Sequence, residues 1–185
     1  LQNNGKKDKK IHKLSLDFSP RYPYNNVDRW LEVVRNGAMP HGKGRRSMTG
    51  EYQHSLDNKG RLFIPAKLRD ELGEVFFVTL SMDRCLSVYS AENWQVFSDK
   101  VNAMPYVKQR KMRPLFAYAA RCELDSQGRA LIPQNLRDYA GLVKNVTVVG
   151  CNNHAELWDS ENWAAVYSAE TTPENIAAVM EELEF

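Results

Sequence analysis

The chain has 185 residues, of which 43% are hydrophobic and 26% are charged. This balance is typical of a soluble globular protein and excludes wholesale disorder. No apolar run approaches the roughly 20 residues that a membrane-spanning helix needs. The polar N-terminus also lacks the apolar segment of a secretory signal. We therefore expect a cytoplasmic protein with no membrane partner.

The net charge of +2 hides an asymmetry between two parts of the chain. Residues 1–47 contain 11 Lys and Arg against 4 Asp and Glu, whereas residues 48–185 contain 14 against 19. The bulk charge of the second part is therefore −5 and cannot by itself attract a polyanion. An anionic partner must be met there by a local basic patch.

The first 47 residues combine charged runs with proline and glycine, and only residues 27–37 have a helical pattern. We predict a basic, mostly disordered extension. Three interpretations remain open for it: an arm that grips nucleic acid, a solvated tail, or an over-long gene start. The last is suggested because a repeated pattern begins just after Met48.

From Met48 onward the chain repeats itself. SLDNKGRLFIPAKLRDEL (residues 55–72) and ELDSQGRALIPQNLRDYA (residues 123–140) share Leu-Asp-x-x-Gly-Arg-x-x-Ile-Pro-x-x-Leu-Arg-Asp at an offset of 68 residues. A second shared segment, Glu-Asn-Trp, recurs at an offset of 69, so one residue is inserted near 151–154. The same order of elements in both copies indicates an internal duplication.

The elements of each copy follow from its hydrophobic pattern. The first copy predicts strands at 50–57, 61–65, 74–82 and 85–90, with helices at 66–73 and 91–104. The second copy predicts the same succession. We divide the chain into the extension (1–47), a first repeat (48–104), a basic linker helix (105–118), a second repeat (119–170) and a C-terminal helix (171–185).

Two of these helices have distinctive surfaces. The linker helix is basic through Lys108, Arg110, Lys111 and Arg113. The C-terminal helix has Thr172 as its predicted N-cap and Pro173 at its first position. Its apolar face consists of Ile176, Val179, Met180 and Leu183. We expect that face to dock on the body of the protein or on a neighbouring subunit.

One copy alone is barely large enough to bury the apolar surface that a stable fold needs. The two copies should therefore share one core. The predicted fold is mainly β with short α-helices, an α+β protein. Its architecture should be a pseudo-twofold β-barrel of interleaved hairpins built from the tandem repeat.

The repeated motif contains residues that shape a turn and residues that do not. Asp57 and Asp125 suit a turn in which a carboxylate accepts from backbone N–H groups one or two residues ahead. Gly60 and Gly128 supply the positive φ that leads into the next strand. These four residues are therefore predicted to be turn-shaping.

Arg61 and Arg129 are not required by the turn. An arginine at a hairpin tip presents a planar set of donors that can grip a phosphate or a guanine edge. Lys59 adds a charge in the first copy, where the second copy has Gln127.

Two further pairs in the motif have simpler interpretations. Arg69 and Arg137 each precede an acidic residue, so a surface Arg–Asp pair is the simpler interpretation for them. A carboxylate dyad of Asp57 and Asp125 across the pseudo-twofold axis, as in a hydrolase, remains an alternative.

The chain shows no motif of a catalytic or metal-binding protein. The cysteines form no Cys-x-x-Cys pair and the histidines no His-Glu-x-x-His pair, so neither a disulfide framework nor a structural zinc site is indicated. The residues concerned are Cys85, Cys122, Cys151, His12, His41, His54 and His154. We predict no enzyme activity, no metal, no cofactor and no small-molecule substrate.

The segment GEYQHSLDNKGRLFIPAKLRDEL resembles the opening of the MraZ family of bacterial transcriptional regulators. The doubled Asp-x-x-Gly-Arg motif is similar to the two SpoVT-AbrB-type domains of that family. The resemblance covers residues 48 to about 185, whereas residues 1–47 have no counterpart in it. It implies a swapped-hairpin barrel and the assembly of protomers into a homo-oligomeric ring.

The resemblance also implies a function. Family members bind repeated G-rich boxes in double-stranded DNA upstream of the division and cell wall gene cluster, associate with the nucleoid, and usually repress that cluster, including their own gene. Carried over to this sequence, the DNA-contacting motif implies that Lys59, Arg61 and Arg129 touch DNA. The four basic residues of the linker helix are candidates for additional contacts.

One function from another class remains open. The chain could be a protein-interaction scaffold that does not bind DNA, in which Arg61 and Arg129 pair with acidic faces of neighbouring subunits. The acidic balance of residues 48–185 makes such pairing physically reasonable.

Overall fold

A computed structural model of the protein describes residues 47–183, which contain eight strands and six helices. The predicted extension, apart from its last residue, lies outside the described residues. The strands are β1 (Met48–Ser55), β2 (Arg61–Phe63), β3 (Val75–Leu80), β4 (Leu86–Ser90), β5 (Ala120–Glu123), β6 (Arg129–Leu131), β7 (Asn145–Asn152) and β8 (His154–Asp159). The helices are α1 (Ala66–Leu72), α2 (Ala91–Asn102), α3 (Tyr106–Ala117), α4 (Gln134–Ala140), α5 (Ser160–Glu170) and α6 (Pro173–Glu182).

The strands form two antiparallel sheets. Six of them make a sheet in the order β1-β7-β8-β4-β3-β5, and β2 pairs with β6 in a separate two-stranded ribbon. This confirms the predicted α+β class. Within residues 47–183 the outer strands β1 and β5 do not pair with each other, so the hydrogen bonds do not close into a barrel. None of the six helices has both the length and the apolar character needed to cross a bilayer.

The sheet order shows how the two copies are interleaved. The first strand of each copy pairs with the third strand of the other copy: β1 with β7, and β5 with β3. Replacing every strand by its equivalent in the other copy reverses the order and leaves the pairing unchanged. The sheet therefore has pseudo-twofold symmetry, and neither copy completes it alone.

The axis of this symmetry passes through the ribbon. Leu62 lies opposite Ala130, Arg61 opposite Leu131, and Phe63 opposite Arg129. Because Leu62 and Ala130 are equivalent positions, their pairing marks the centre of the ribbon. Both are fully buried.

The hydrophobic core is shared between the copies. Its largest fully buried side chains include equivalent residues from both halves: Ile64 with Ile132, and Leu68 with Leu136. Isoleucine directly follows each ribbon strand, and leucine lies on the buried side of α1 or α4, which follow Pro65 and Pro133. Proline suits the start of a helix because its missing N–H would have no partner there.

Three of the remaining helices begin at side-chain caps, whereas α3 begins after Pro105 without one. Ser90 accepts from the backbone N of Asn93 at the start of α2, and Asp159 accepts from two backbone N–H groups at the start of α5. At α6, Thr172 accepts from the backbone N of Asn175, and Pro173 lies in the first turn. The predicted cap of the C-terminal helix is confirmed.

Leu62→Ala should destabilise the protein by about 2–5 kcal/mol, because it removes a fully buried side chain at the point where the two copies meet. The free energy of unfolding of the full chain, measured by urea denaturation, checks this expectation. Leu131→Ala is the matched control, since Leu131 belongs to the same ribbon and is 56% exposed. Equal effects of the two substitutions would contradict the placement of the shared core.

Candidate nucleic-acid interface at the paired turns

Each copy of the motif forms a turn held by its aspartate. Asp57 Oδ1 accepts from the backbone N–H groups of Lys59 and Arg61, both at 2.9 Å. Asp125 Oδ1 accepts in the same way from Gln127 and Arg129, again at 2.9 Å. Each aspartate therefore accepts the same two backbone N–H groups within its own turn.

The glycines complete each turn and join it to the other copy. Gly60 and Gly128 have φ values of 76° and 75°, in the region that favours glycine. The carbonyl of Gly60 accepts from the backbone N of Ile132, and that of Gly128 accepts from Ile64, both at 3.0 Å. Each turn is therefore fixed to the ribbon strand of its counterpart.

The motif arginines turn back onto the aspartates instead of extending freely from the tips. Arg61 contacts Asp57 Oδ2 through Nε and Nη2, both at 2.7 Å. Arg129 contacts Asp125 Oδ2 through the same two nitrogens at 2.9 and 2.8 Å. Sequence reasoning missed this pairing, although the i,i+4 spacing of Asp and Arg was visible.

Weaker contacts cross the pseudo-twofold axis. Nη1 of Arg61 lies 3.7 Å from Asp125 Oδ2, and Nη1 of Arg129 lies 3.8 Å from Asp57 Oδ2. We call Asp57, Arg61, Asp125 and Arg129 the ion quartet. Its side chains are between 25% and 32% exposed, so it lies at the surface. Two positive and two negative groups make it electrically neutral.

The quartet leaves one nitrogen of each guanidinium available. Nη1 of Arg61 and of Arg129 lies beyond hydrogen-bonding distance of its nearest carboxylate, whereas Nε and Nη2 are occupied. These Nη1 groups can therefore donate to an external acceptor without breaking the short Asp–Arg contacts.

Both aspartates are stabilised as carboxylates. The pKa of Asp57 is lowered to about 2, first by the backbone N–H of Arg61 and then by its side chain. The pKa of Asp125 is also lowered to about 2, first by the side chain of Arg129 and then by its backbone N–H. A catalytic dyad that shares one proton needs one raised pKa, so these hydrogen-bonded carboxylates do not support the hydrolase alternative.

The second arginine of each motif packs against the glycine of the other copy. A Cβ on Gly60 would lie 2.7 Å from Cζ of Arg137, and a Cβ on Gly128 would lie 2.8 Å from Cζ of Arg69. A Cβ at either position would displace the guanidinium end of the arginine, and the positive φ angle independently favours glycine. Arg137 also donates to the carbonyl of Ile132 at 3.0 Å.

The prediction that these two arginines form surface Arg–Asp pairs was wrong. Arg69 stacks over the ring of Phe63 at 4.9 Å, and among the described residues it forms no ion pair with Asp70. Arg137 donates to the side chain of Gln134 instead of pairing with Asp138. The reason is that both guanidinium groups are held against the opposite turn.

The other predicted contact residues lie outside the quartet. Lys59 and Gln127 are exposed at the tips of the first and second turn. The four basic residues of the linker are all exposed on α3, which has no acidic residue. No hydrogen bond or ion pair between described residues joins α3 to the quartet. The basic residues of α3 are therefore not in contact with the neutral quartet.

The fold and the site together define a tandem-repeat α+β protein whose two copies exchange strands and present paired Asp-x-x-Gly-Arg turns at a pseudo-twofold axis. The chain belongs to the MraZ family. The family model described as "MraZ protein, putative antitoxin-like" matches residues 48–113 and 115–183.

Curated relatives agree with this assignment. The chain is 45% identical over 140 residues to a protein of Caldicellulosiruptor saccharolyticus, a match that covers 74% of this chain and 98% of the relative. It is 45% identical over 138 residues to one of Halothermothrix orenii, covering 72% and 96%. Both are named "Transcriptional regulator MraZ". The family is thus one of regulators, not of enzymes.

Lowering the pH from 3.8, the ordinary pKa of aspartate, to about 2 should weaken the folded state. A carboxyl whose pKa is lowered by folding contributes its stability above the unfolded pKa, and this contribution is lost as the pH falls through the folded pKa. We expect the free energy of unfolding to fall over this range, and to fall less steeply in Asp57→Asn.

The control for this measurement is Asp83→Asn, which changes an exposed aspartate outside the ion quartet. Urea denaturation at several pH values gives the slope for each variant. Equal slopes for Asp57→Asn and Asp83→Asn would show that the quartet does not carry the acid sensitivity.

Proposed function

We propose that this chain is a sequence-specific DNA-binding transcriptional regulator. It acts as a repressor of the division and cell wall gene cluster, including its own gene, and binds repeated boxes upstream of it. It works as a homo-oligomeric ring in the cytoplasm, associated with the nucleoid. The observation that carries the proposal is the pair of Gly-Arg turns at one surface, in a chain whose relatives are named transcriptional regulators.

The quartet suggests how the arginines contact DNA. Asp57 and Asp125 hold the two guanidinium groups in fixed positions, so less side-chain entropy is lost on binding. With Nε and Nη2 occupied, the Nη1 groups of Arg61 and Arg129 are suited to single hydrogen bonds with phosphate oxygens. A bidentate contact to guanine through the occupied edge would first require an Asp–Arg pair to open.

The electrostatic attraction has to come from outside the quartet, because the quartet is neutral. Lys59 supplies one exposed charge at the first turn, and α3 supplies four. We propose that these residues neutralise phosphates while the turns fix the position of the protein on the duplex. Gln127 makes the second turn the weaker of the two.

Ring assembly is supported by the C-terminal helix. The apolar side chains of α6, and that of Leu183 directly after it, remain exposed in the single chain: Ile176 by 52%, Val179 by 55%, Met180 by 43% and Leu183 by 60%. An exposed apolar face of this kind favours association. We propose that a neighbouring copy covers it, so that the turns of several protomers repeat side by side. Repetition raises the effective affinity for repeated boxes.

The scaffold alternative has less support. It requires Arg61 and Arg129 to pair with acidic faces of neighbouring subunits, but their short contacts are to the aspartates of their own chain. No observation among the described residues favours it over DNA binding.

Exchanging the tip residues provides a matched test of DNA binding. Lys59→Gln should weaken binding to a tandem-box DNA fragment, and Gln127→Lys should strengthen it. Each should change the slope of log K against log salt by about 0.9, the value expected for one phosphate contact. Fluorescence anisotropy at several salt concentrations measures both effects.

Lys100→Gln serves as the control, because it removes an exposed lysine on α2 and leaves the turns intact. If Lys59→Gln and Lys100→Gln had the same effect, the turn would not be the contact surface. Tip substitutions are preferable to Arg61→Ala with Arg129→Ala, since loss of both arginines also leaves two carboxylates unpaired.

Ile176→Glu with Val179→Glu should reduce the assembly to smaller species, because charge on the apolar face of α6 opposes its burial between copies. Light scattering coupled to size-exclusion chromatography gives the mass. Glu174→Gln with Glu181→Gln alters exposed acidic positions of the same helix and should leave the mass unchanged. An unchanged mass in the first variant would mean that α6 is not the ring contact.

A further inference from the structure

The hairpin of β7 and β8 brings together three potential metal ligands. Cys151 and His154 face each other across the end of the hairpin, and Glu156 lies two residues further along β8. The ligand atoms of these three side chains all lie within 4.8 Å of one another, and all three residues are half-buried. The spacing Cys-x-x-His-x-Glu differs from both the Cys-x-x-Cys and the His-Glu-x-x-His motifs.

The three groups suit one class of metal ion. A thiolate, an imidazole and a carboxylate are all ligands of Zn²⁺ in proteins, which typically takes four in a tetrahedron. With the usual bond lengths, such ligand atoms lie roughly 3.3–3.8 Å apart, so small side-chain rotations suffice here. Mg²⁺ prefers oxygen ligands alone and six of them, which this site does not offer.

The imidazole is oriented for coordination. Nδ1 of His154 lies 2.9 Å from Oδ1 of Asn153, to which it can donate its proton. Nε2 then carries the lone pair and lies 3.3 Å from Oε1 of Glu156. In this tautomer the lone pair of Nε2 faces the carboxylate, an arrangement that a shared proton or a bound metal ion stabilises. The ring of Tyr89 stacks on His154 with centroids 5.3 Å apart and fixes its plane.

The carboxylate is also held from behind. Nε1 of Trp158 donates to Oε2 of Glu156 at 2.9 Å, so Oε1 is the oxygen directed towards His154. Outer hydrogen bonds of this kind, on both the imidazole and the carboxylate, are typical of metal sites because they orient the ligands.

We propose that Cys151, His154 and Glu156 bind one Zn²⁺ ion, with the fourth position open to water or an exchangeable ligand. The site belongs to the second copy alone. Judged by strand pairing, its counterparts in the first copy are Ser81, Cys85 and Ser87, and these do not form an equivalent set. A bound ion would cross-link the end of the β7–β8 hairpin and stiffen it.

The test is a titration of the full chain, freed of metal by a chelator, with Zn²⁺ and with Mg²⁺. Calorimetry should show one Zn²⁺ per chain and no comparable binding of Mg²⁺. Co²⁺ in place of Zn²⁺ should give a thiolate-to-cobalt charge-transfer band. Cys151→Ser should abolish that band and lower Zn²⁺ affinity at least tenfold.

Two controls separate this site from other cysteines and histidines. Cys122→Ser changes a buried thiol that hydrogen-bonds to Leu131 elsewhere in the fold, and His54→Gln changes a histidine on β1. Both should keep full Zn²⁺ binding. If Cys151→Ser bound Zn²⁺ as tightly as the unaltered chain, the proposal would be wrong, and histidines such as His12 and His41 would be the source of binding.

A second variant, which retains the three ligands, tests the site if Cys151→Ser fails to fold. Asn153→Ala removes the exposed acceptor of the His154 proton and retains all three ligands. The backbone carbonyl of Asn153, which accepts from Asn93, is unaffected. We expect roughly tenfold weaker Zn²⁺ binding, as for loss of an outer hydrogen bond. Unchanged affinity would overturn the orientation argument, and absence of Zn²⁺ binding by the unaltered chain would overturn the site.

Discussion

The described structure depends on the hydrogen bonds that hold the two motif turns and join each turn to the β2–β6 ribbon. Asp57 holds the first turn by accepting from the backbone and the guanidinium of Arg61, and Asp125 does the same in the second. The glycine carbonyl of each turn then bonds to the ribbon strand of the other copy. Local turn geometry and long-range pairing are therefore coupled, because a turn that lost its shape would also lose a bond across the axis.

Several of these features could be predicted from the sequence because they are local. A short carboxylate side chain three residues before a glycine predicts a turn within four residues, and the apolar Leu62 and Ile64 in alternate positions predict a strand. Whether the sheet closes into a barrel could not be decided from local sequence. Which strands pair depends on contacts between residues far apart in the chain. The open six-stranded order became visible only in three dimensions.

The arginines show the same limit more clearly. The donors of the guanidinium suggested contact with an external partner such as DNA. The spacing of the arginines from the aspartates equally allowed an ion pair within the turn, and only the fold decides between the two. The packing of Arg137 on Gly60 is harder still to foresee, because these residues are 77 positions apart and belong to different copies. The Cys-x-x-His-x-Glu segment is the opposite case. Its residues are close in sequence, but only the tight hairpin turns them towards one point.

The exchanged strands have a consequence for the connection between the copies. Because the sheet order is the same when the copies are interchanged, the pairing itself does not require them to be covalently joined. The helix α3 therefore acts as a tether that raises the local concentration of one half around the other and makes their association unimolecular. Two separate half-length chains with symmetric sequences could build the same sheet as a dimer. Joining them allows the halves to differ, and this freedom permits one turn to keep Lys59 and the other Gln127.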